Sequence, residues 1–332
     1  MFYLPIDQKN LSDAVKMYNA SIASGELLYK PLSEEAFYDL FLKPVKSIDK
    51  VFSFYSPDKE GFVIGHFDGG IKRYFLTMIV VRSSCRRKGV GTGLIKMLEK
   101  IMEEDAKEND LPAPLMEVSY FNPVNITWIL PETQGHVHPN SPGVRLGSPA
   151  HLFLKNLEFV DFSYQNSYDL PLKTYAWNQK KLQKYVDRFE KAGYRIEFYD
   201  PKKHHGMQDL VDDLNNDLWN WQIPGEMNRE GGPRPMLIVN DHGRVGGFAG
   251  PIVVEATGRG WLLGLAVHSE CRGAGAATML FNRMCEAFRD AGASYMTFFT
   301  AEDNIARRIY EGAGAKIKAS WADMKRRDQT NR

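Results

Sequence analysis

Cysteine is scarce. Cys85, Cys271 and Cys285 are the only three in 332 residues. So few cannot build a disulfide framework, and their spacing fits no metal motif, which points to a reducing compartment. An excess of one charge sign is also missing. Forty-two basic residues stand against 41 acidic ones, a net charge of +1. That is neither the basic field of a nucleic-acid binder nor a polybasic membrane patch. Apolar runs such as Phe75 to Val81 fall far short of the ~20 residues of a membrane span. The opening Met1-Phe-Tyr-Leu-Pro-Ile-Asp has no basic segment leading a long apolar one, so it does not read as a secretory signal. The expectation is a cytoplasmic protein without nucleic-acid or membrane partners. Two common phosphate loops are absent as well. There is no Gly-x4-Gly-Lys-(Ser/Thr), and Gly89-x-Gly91-x-Gly93 has the wrong spacing for Gly-x-Gly-x-x-Gly.

What is present is ordinary globular material, 43% hydrophobic and 25% charged, with length enough for two cores. One short stretch occurs twice: Cys85-Arg-Arg-Lys-Gly-Val-Gly-Thr-Gly-Leu94 and Cys271-Arg-Gly-Ala-Gly-Ala-Ala-Thr-Met-Leu280. Each follows an apolar strand-like run and opens a helix-period segment. Both fit Arg-x-x-Gly-x-(Gly/Ala), through Arg86, Gly89 and Gly91, and through Arg272, Gly275 and Ala277. A Gly-rich turn between strand and helix aims several backbone N–H groups at one point, and the positive end of the helix dipole faces the same point. That is a cradle for phosphates. A single such hit arises by chance in roughly one chain in a few of this length. The matched flanks, Val81 and Val267 five residues before the Arg and a Cys just before it, indicate an internal duplication.

The flanking elements repeat too. A strand from Phe2 to Ile6, a helix from Leu11 to Ile22 capped at Ser12, and a helix after Ser33 precede three strands, Val51–Tyr55, Phe62–Phe67 and Lys72–Val81. After the first cradle and its helix come a strand over Leu115–Phe121 and a long irregular loop, Asn122 to Gly147. That loop holds Trp128, His136 and His138 and reads as a binding loop. A helix near Pro149–Lys155 and a strand over Phe159–Tyr164 close the half. Asp169-Leu-Pro-Leu signals a linker, and a helix over Gln179–Ala192 follows, stopped at Gly193. The order then restarts: a strand Tyr194–Tyr199, a helix Met207–Leu218, a Pro/Gly-rich loop Trp219–Pro235, and three strands ending in Trp261–Val267. The second cradle, a strand Tyr295–Thr300, a helix Asn304–Tyr310 and a strand near Lys316–Met324 complete it. The division expected is 1–170, a linker and helix over 171–193, and 194–332.

The duplicated pattern resembles the acetyl-CoA pyrophosphate loop of the GNAT acyltransferases, and the element order is similar to theirs over nearly the whole chain. The layout is similar to tandem forms such as the mycothiol synthase-like proteins. The resemblance implies an α/β fold, a mixed sheet with flanking helices, built as two tandem GNAT-like domains. It implies acetyl-CoA as cofactor. The pyrophosphate would sit on the amides of Arg86, Arg87, Lys88, Gly89, Val90, Gly91 and Thr92, and of Arg272, Gly273, Ala274, Gly275, Ala276 and Ala277. The pantetheine arm would pair with Ile79, Val80 and Val81, and with Leu265, Ala266 and Val267. The segment Asn304-Ile-Ala-Arg-Arg-Ile-Tyr310 resembles the family's Asn-x-x-Ala segment. This gives Asn304 a cofactor contact and makes Tyr310 the general acid for the leaving thiolate. Aligning Ser148 with Asn304 puts Leu154 under Tyr310, and a leucine cannot donate a proton.

A general base is poorly marked: Glu255, Glu302 and Asp303 are the nearest carboxylates. His136-x-His138 offers two ligands without a completing set, so no metal is expected. His204-His205 reads as a polar turn, and Cys85 and Cys271 as small packing residues. The cluster Trp219, Trp221, Ile223, Pro224 is either core or an acceptor wall. The reading is an N-acetyltransferase acting on a primary amine of a small molecule or peptide by direct attack, with the halves either both catalytic or one of them binding-only. The competing class is a non-catalytic acyl-CoA-binding or regulatory module. Acceptor and oligomeric state have no signature in the sequence.

Overall fold

The computed structural model describes residues 3–44, 48–140 and 142–327, with the side chains of residues 179, 217 and 218 excepted. Phe2, where the first expected strand begins, lies outside these. In chain order the elements are β1 (Leu4–Pro5), α1 (Ser12–Ala23), α2 (Glu34–Phe37), β2 (Lys50–Tyr55), β3 (Gly61–Asp68), β4 (Arg73–Val81), α3 (Val90–Glu108), β5 (Glu117–Val118), β6 (Trp128–Ile129), β7 (Val137–His138), β8 (Val144–Arg145), α4 (Pro149–Asn156) and β9 (Phe159–Pro171). They continue as α5 (Gln179–Lys191), β10 (Arg195–Phe198), α6 (Met207–Leu214), α7 (Asp217–Met227), β11 (Leu237–Asp241), β12 (Arg244–Gly250), β13 (Val253–Val254), β14 (Arg259–Trp261), β15 (Gly264–Val267), α8 (Ala276–Asp290), β16 (Tyr295–Ala301), α9 (Arg307–Gly312) and β17 (Lys316–Arg326). The chain divides into two units, residues 1–167 together with 318–332, and residues 168–317. Strands β9 and β17 are each shared out between them.

In the first unit the strands run in the order β1-β2-β3-β4-β5-β17-β9. The meander β2-β3-β4 is antiparallel throughout, from Lys50–Phe67 to Gly61–Val81. Both faces of β3 are buried, which is why it reads as an unbroken apolar run. One face packs on α1, α2 and the π-helical turn that follows it (Tyr38–Leu42) through Tyr18, Phe37, Phe41, Phe62 and Met78. The other receives α3, whose Leu94, Ile95, Leu98 and Met102 recur at helical spacing. Gly65 makes that docking possible, because any Cβ there would strike Met102 and the Phe75 carbonyl. Helix α1 starts at its expected cap, one residue early: Leu11 is the N-cap, Ser12 is already helical and makes no capping bond, and Asp13 in the first turn faces the helix dipole.

Two expectations for this unit change. The strand expected over Leu115–Phe121 is reduced to Glu117–Val118, because β4 and β5 separate immediately after their one pair, Phe75 with Glu117. The segment expected to be an irregular binding loop is folded. Trp128–Ile129 pairs with Val137–His138, and Val144–Arg145 pairs with Trp321 and Ala322 of β17. Trp128 is fully buried in a small core with Leu130, Ala319 and Trp321, 4.8 Å from the Trp321 ring, and its indole N–H donates to the Asn140 carbonyl at 3.1 Å. The His138 ring is buried against Trp128. Among the described residues no three metal-ligating side chains converge.

The second unit holds two sheets, β10-β11-β12-β15 and β13-β14-β16-β9. Its core gathers α8 (Leu280, Phe281, Met284, Phe288), Tyr168 and Leu170 of β9, and Met296 of β16. The expected linker at Asp169–Leu172 is therefore the end of β9 as far as Pro171, since Leu170 and Leu172 have this core to enter. The expected loop from Trp219 is a helix to Met227 in spite of Pro224. Trp219, Ile223 and Met227 recur every fourth residue and pack against the Met207–Val211 face of α6. Tertiary burial outweighs the proline here.

Candidate active site: two cradles and two splayed strands

Both repeated stretches fold alike. Ser83–Cys85 and Ser269–Cys271 form single 3₁₀ turns. Two left-handed residues follow in each, Arg87 (φ 60°) and Gly89 (φ 86°) in the first, Gly273 (φ 81°) and Gly275 (φ 82°) in the second. Gly89 caps α3 and Gly275 caps α8. The turn leaves the first helical amides without intrahelical partners. Among the described residues no acceptor meets the N–H groups of residues 87–92 or 273–278. Each is a nest of free donors at a positive helix end.

The motif arginines are not aimed outward. Arg86 Nε donates to the Val81 carbonyl at 3.0 Å and its Nη2 to Glu26 at 2.6 Å. Arg272 Nε donates to the Val267 carbonyl at 3.2 Å, with Asp213 at 3.8 Å. In both copies the arginine braces the turn against the end of its own strand. The hydrogen bond from Arg86 holds the Glu26 carboxyl below its ordinary range. Arg87 and Lys88 stay exposed beside the first cradle.

Each cradle is fed by a strand with an open edge. Past Phe75 the side of β4 that faced β5 has no strand partner among the described residues, and Ile79, Val80 and Val81 lie along that stretch. In the second unit one chain segment changes sheets. Arg259 and Gly260 pair with Tyr295 and Met296 of β16, whereas Gly264–Val267 pairs with β12. Leu265, Ala266 and Val267 thus carry the second open edge. Such edges accept an extended ligand as an added strand. Gly264 has the Trp219 ring over it, 3.1 Å from where a Cβ would lie. The aromatic cluster accordingly splits: Ile223 is core, Trp219 packs on Phe248, and Trp221 is 65% exposed.

Tyr310 stands on α9 among Phe298 (4.6 Å), Phe281 (5.0 Å) and Tyr168 (6.0 Å). Burial raises its phenol above the ordinary value. Its hydroxyl has no hydrogen-bond partner among the described residues. Leu154 on α4 is buried in the first unit's core. Asn304 is used locally, its side-chain oxygen accepting the Ala306 amide at 3.0 Å. Glu255 accepts from Arg259 at 2.9 Å, and Arg259 also donates to Thr297. Glu302 lies 4.0 Å from Arg307, and Asp303 is exposed. A cleft of about 470 Å³ between β10, β11 and α8 contains no cradle residue.

Sequence reasoning missed a polar chain in the first unit. Ile64 pairs with Met78 and Gly65 with Leu76, so Thr77 is a bulge residue with nothing opposite it. It begins the stretch of β4 that has left β5. His66 Nδ1 is 2.6 Å from the Thr77 hydroxyl, and His66 Nε2 is 2.9 Å from the Phe41 carbonyl. Asn122 Nδ2 donates to the Thr77 oxygen at 3.0 Å. Burial pushes the His66 imidazolium down to about 4. The legible signal was Thr77 itself, the one polar side chain between Tyr74 and Val81.

The acetyltransferase (GNAT) family profile matches residues 31–111 and 194–315. These segments make up more than half of the chain and contain both cradles. The chain belongs to that family, whose members generally use acetyl-CoA. Three solved structures share the fold. A GCN5-related glucosamine N-acetyltransferase region of a fungal multi-domain GH3 β-N-acetylglucosaminidase is 15% identical, with a TM-score of 0.65, and this chain spans 98% of itself but only 38% of that protein. A GCN5-related N-acetyltransferase from Sphaerobacter thermophilus is 14% identical, with 98% and 95% of the two chains covered and a TM-score of 0.60. A tandem GNAT protein from the clavulanic acid biosynthesis pathway is 14% identical, with 98% and 97% covered and a TM-score of 0.53. No curated protein matches the chain. The tandem GNAT layout and the mixed α/β fold expected from the duplicated motif are both present. Among the described residues no helix is long and apolar enough to cross a membrane.

Proposed function

We propose that the protein is an acetyl-CoA-dependent N-acetyltransferase that acylates a primary amine of a small molecule or peptide by direct attack on the thioester. The observation that carries this is the same assembly in both units: a left-handed turn with unused amides at a helix start, reached along a strand with an open edge. The amides of residues 87–92 and 273–278 would hold the pyrophosphate. The edges at residues 79–81 and 265–267 would hold the pantetheine arm. Acetyl-CoA supplies the activated acyl group when bound. Arg86 and Arg272 keep each turn in shape, so phosphate affinity rests on backbone donors, helped in the first unit by Arg87 and Lys88. Tyr310 protonates the departing thiolate in the second unit, where its unpartnered hydroxyl in an aromatic setting suits a late proton donor. Leu154 removes that tyrosine route from the first unit.

Calorimetry with acetyl-CoA tests this reading on the wild type, Gly89→Asp and Gly275→Asp. A carboxylate in a cradle should abolish that site alone, so two sites become one in each variant. No binding by the wild type overturns the reading. Tyr310→Phe should then lower the kcat of the second unit 10²–10⁴-fold at an unchanged acetyl-CoA Kd. Glucosamine is the first acceptor to try, since one structural neighbour is described as acting on it.

A further inference from the structure

Leucine stands where the first unit needs a proton-handling side chain, and the chain His66–Thr77–Asn122 lies at the other end of the same strand segment. The Phe41 carbonyl fixes the direction of its hydrogen bonds. The Phe41 carbonyl only accepts, so His66 Nε2 carries a hydrogen and donates to it at 2.9 Å. His66 is fully buried and stays neutral near neutral pH. Its Nδ1 is then a lone pair, which takes the single Thr77 hydroxyl hydrogen at 2.6 Å, a far shorter contact than the 3.4 Å from that hydroxyl to Asn122 Oδ1. Thr77 therefore presents only acceptor capacity, one lone pair to Asn122 Nδ2 at 3.0 Å and one left over. The residue is half-buried at the bulge. A nucleophile or amine beside a hydroxyl backed by a fixed imidazole is the arrangement that relays a proton.

The two units differ at these positions in a complementary way. The cradle offset of 186 residues carries Thr77 to Leu263 and His66 to Ile252. The register agrees, since Ile64 pairs with Met78 in the first unit and Gly250 with Gly264 in the second. The polar pair of one unit is apolar in the other, and the tyrosine of the second is a leucine in the first. We propose that Thr77 is the catalytic residue of the first unit, seating the acceptor amine and passing its proton to His66, so that this unit transfers acetyl by a route without a tyrosine.

This inference rests on the acetyltransferase reading above. In the step, the amine lone pair forms the N–C bond and the C–S bond breaks with its electron pair on sulfur. The amine proton moves to the Thr77 oxygen as the Thr77 proton moves to His66 Nδ1. The thiolate is protonated by water, and hydroxide takes the proton back from His66 through Thr77. A weak base suffices, because the nitrogen becomes strongly acidic as the amide forms.

The test is amine-dependent thiol release from acetyl-CoA, with glucosamine, lysine and spermidine as acceptors, in a Tyr310→Phe background that silences the second unit. Calorimetry on the same samples follows acetyl-CoA binding. Thr77→Val should cut kcat at least tenfold with acetyl-CoA binding retained. Thr77→Ser should restore most of the rate, which separates hydroxyl chemistry from packing. Equal rates for Thr77→Val and its parent overturn the relay and leave the acetyltransferase reading standing. No turnover in Tyr310→Phe, with turnover in the wild type, also overturns the relay. No turnover in the wild type with any of the amines fails the parent reading and takes the relay with it.

Discussion

Asp323 sits in surroundings that oppose its charge. It is fully buried, holds the Tyr120 amide and the Gln165 side chain at 3.2 Å each, and burial pushes its carboxyl up to about 6. A carboxyl with a raised folded pKa contributes its full stability below the unfolded value near 4 and loses it as pH rises through 6. Asp323→Asn, which does not titrate, should match the wild type at pH 4 and exceed it by on the order of 2 kcal/mol at pH 7. Urea melts at the two pH values measure this. Arg87 gives a second case. It holds φ 60° where the other copy has Gly273 at φ 81°. Arg87→Gly should therefore raise stability by about 0.5–1 kcal/mol, and Gly273→Arg should lower it by a similar amount. At this scale the sequence was half legible. The cradles and Tyr310 could be read because their chemistry is local: spacing alone places amides at a helix start. Asp323 and His66 could not be read, since their partners are far away in the chain and only the sheet register brings them together.

Among the elements, helix α5 sets the two cradles apart. The Gly275 Cβ position lies 2.9 Å from the Tyr185 carbonyl oxygen of α5, whereas no described residue lies within 4 Å of the Gly89 Cβ position. Both residues are left-handed caps, so Gly89→Ala should cost about 1 kcal/mol of backbone strain. Gly275→Ala adds a backbone clash that cannot be relieved by rotating a side chain, and should cost clearly more. Denaturant unfolding of the two variants decides the matter; equal losses would mean that α5 does not pack on the second cradle. The amphipathic pattern of α5 was plain in the sequence, but not its docking site. The helix α7 shows the opposite limit. Pro224 and the glycines around it read as loop, and only the burial of Trp219, Ile223 and Met227 makes them helix.

On the scale of the whole molecule, the units do not coincide with the two halves of the sequence. Residues 318–326 complete the first unit: Met324 and Lys325 pair with β5, Trp321 and Ala322 with β8, and Trp321 shares a core with Trp128. Truncation after Ile317 should therefore unfold the first unit and abolish acetyl-CoA binding at its cradle. Loss of the Gly89-dependent calorimetric site, with the Gly275-dependent one retained, is the expected result. The repeat period made the duplication readable, but a strand near Lys316–Met324 looks the same in sequence whichever unit it joins.

That late strand has a consequence for birth rather than for stability. Ribosomes deliver the amino end first, and domains ordinarily fold in that order. Here the earliest part of the chain lacks one of its own strands until residues 168–317 have been made. At ~5–20 residues per second this is a delay on the order of ten to thirty seconds. The second unit is the one that can finish first, and the nascent first unit spends the interval with Trp128 uncovered, a natural client for chaperones.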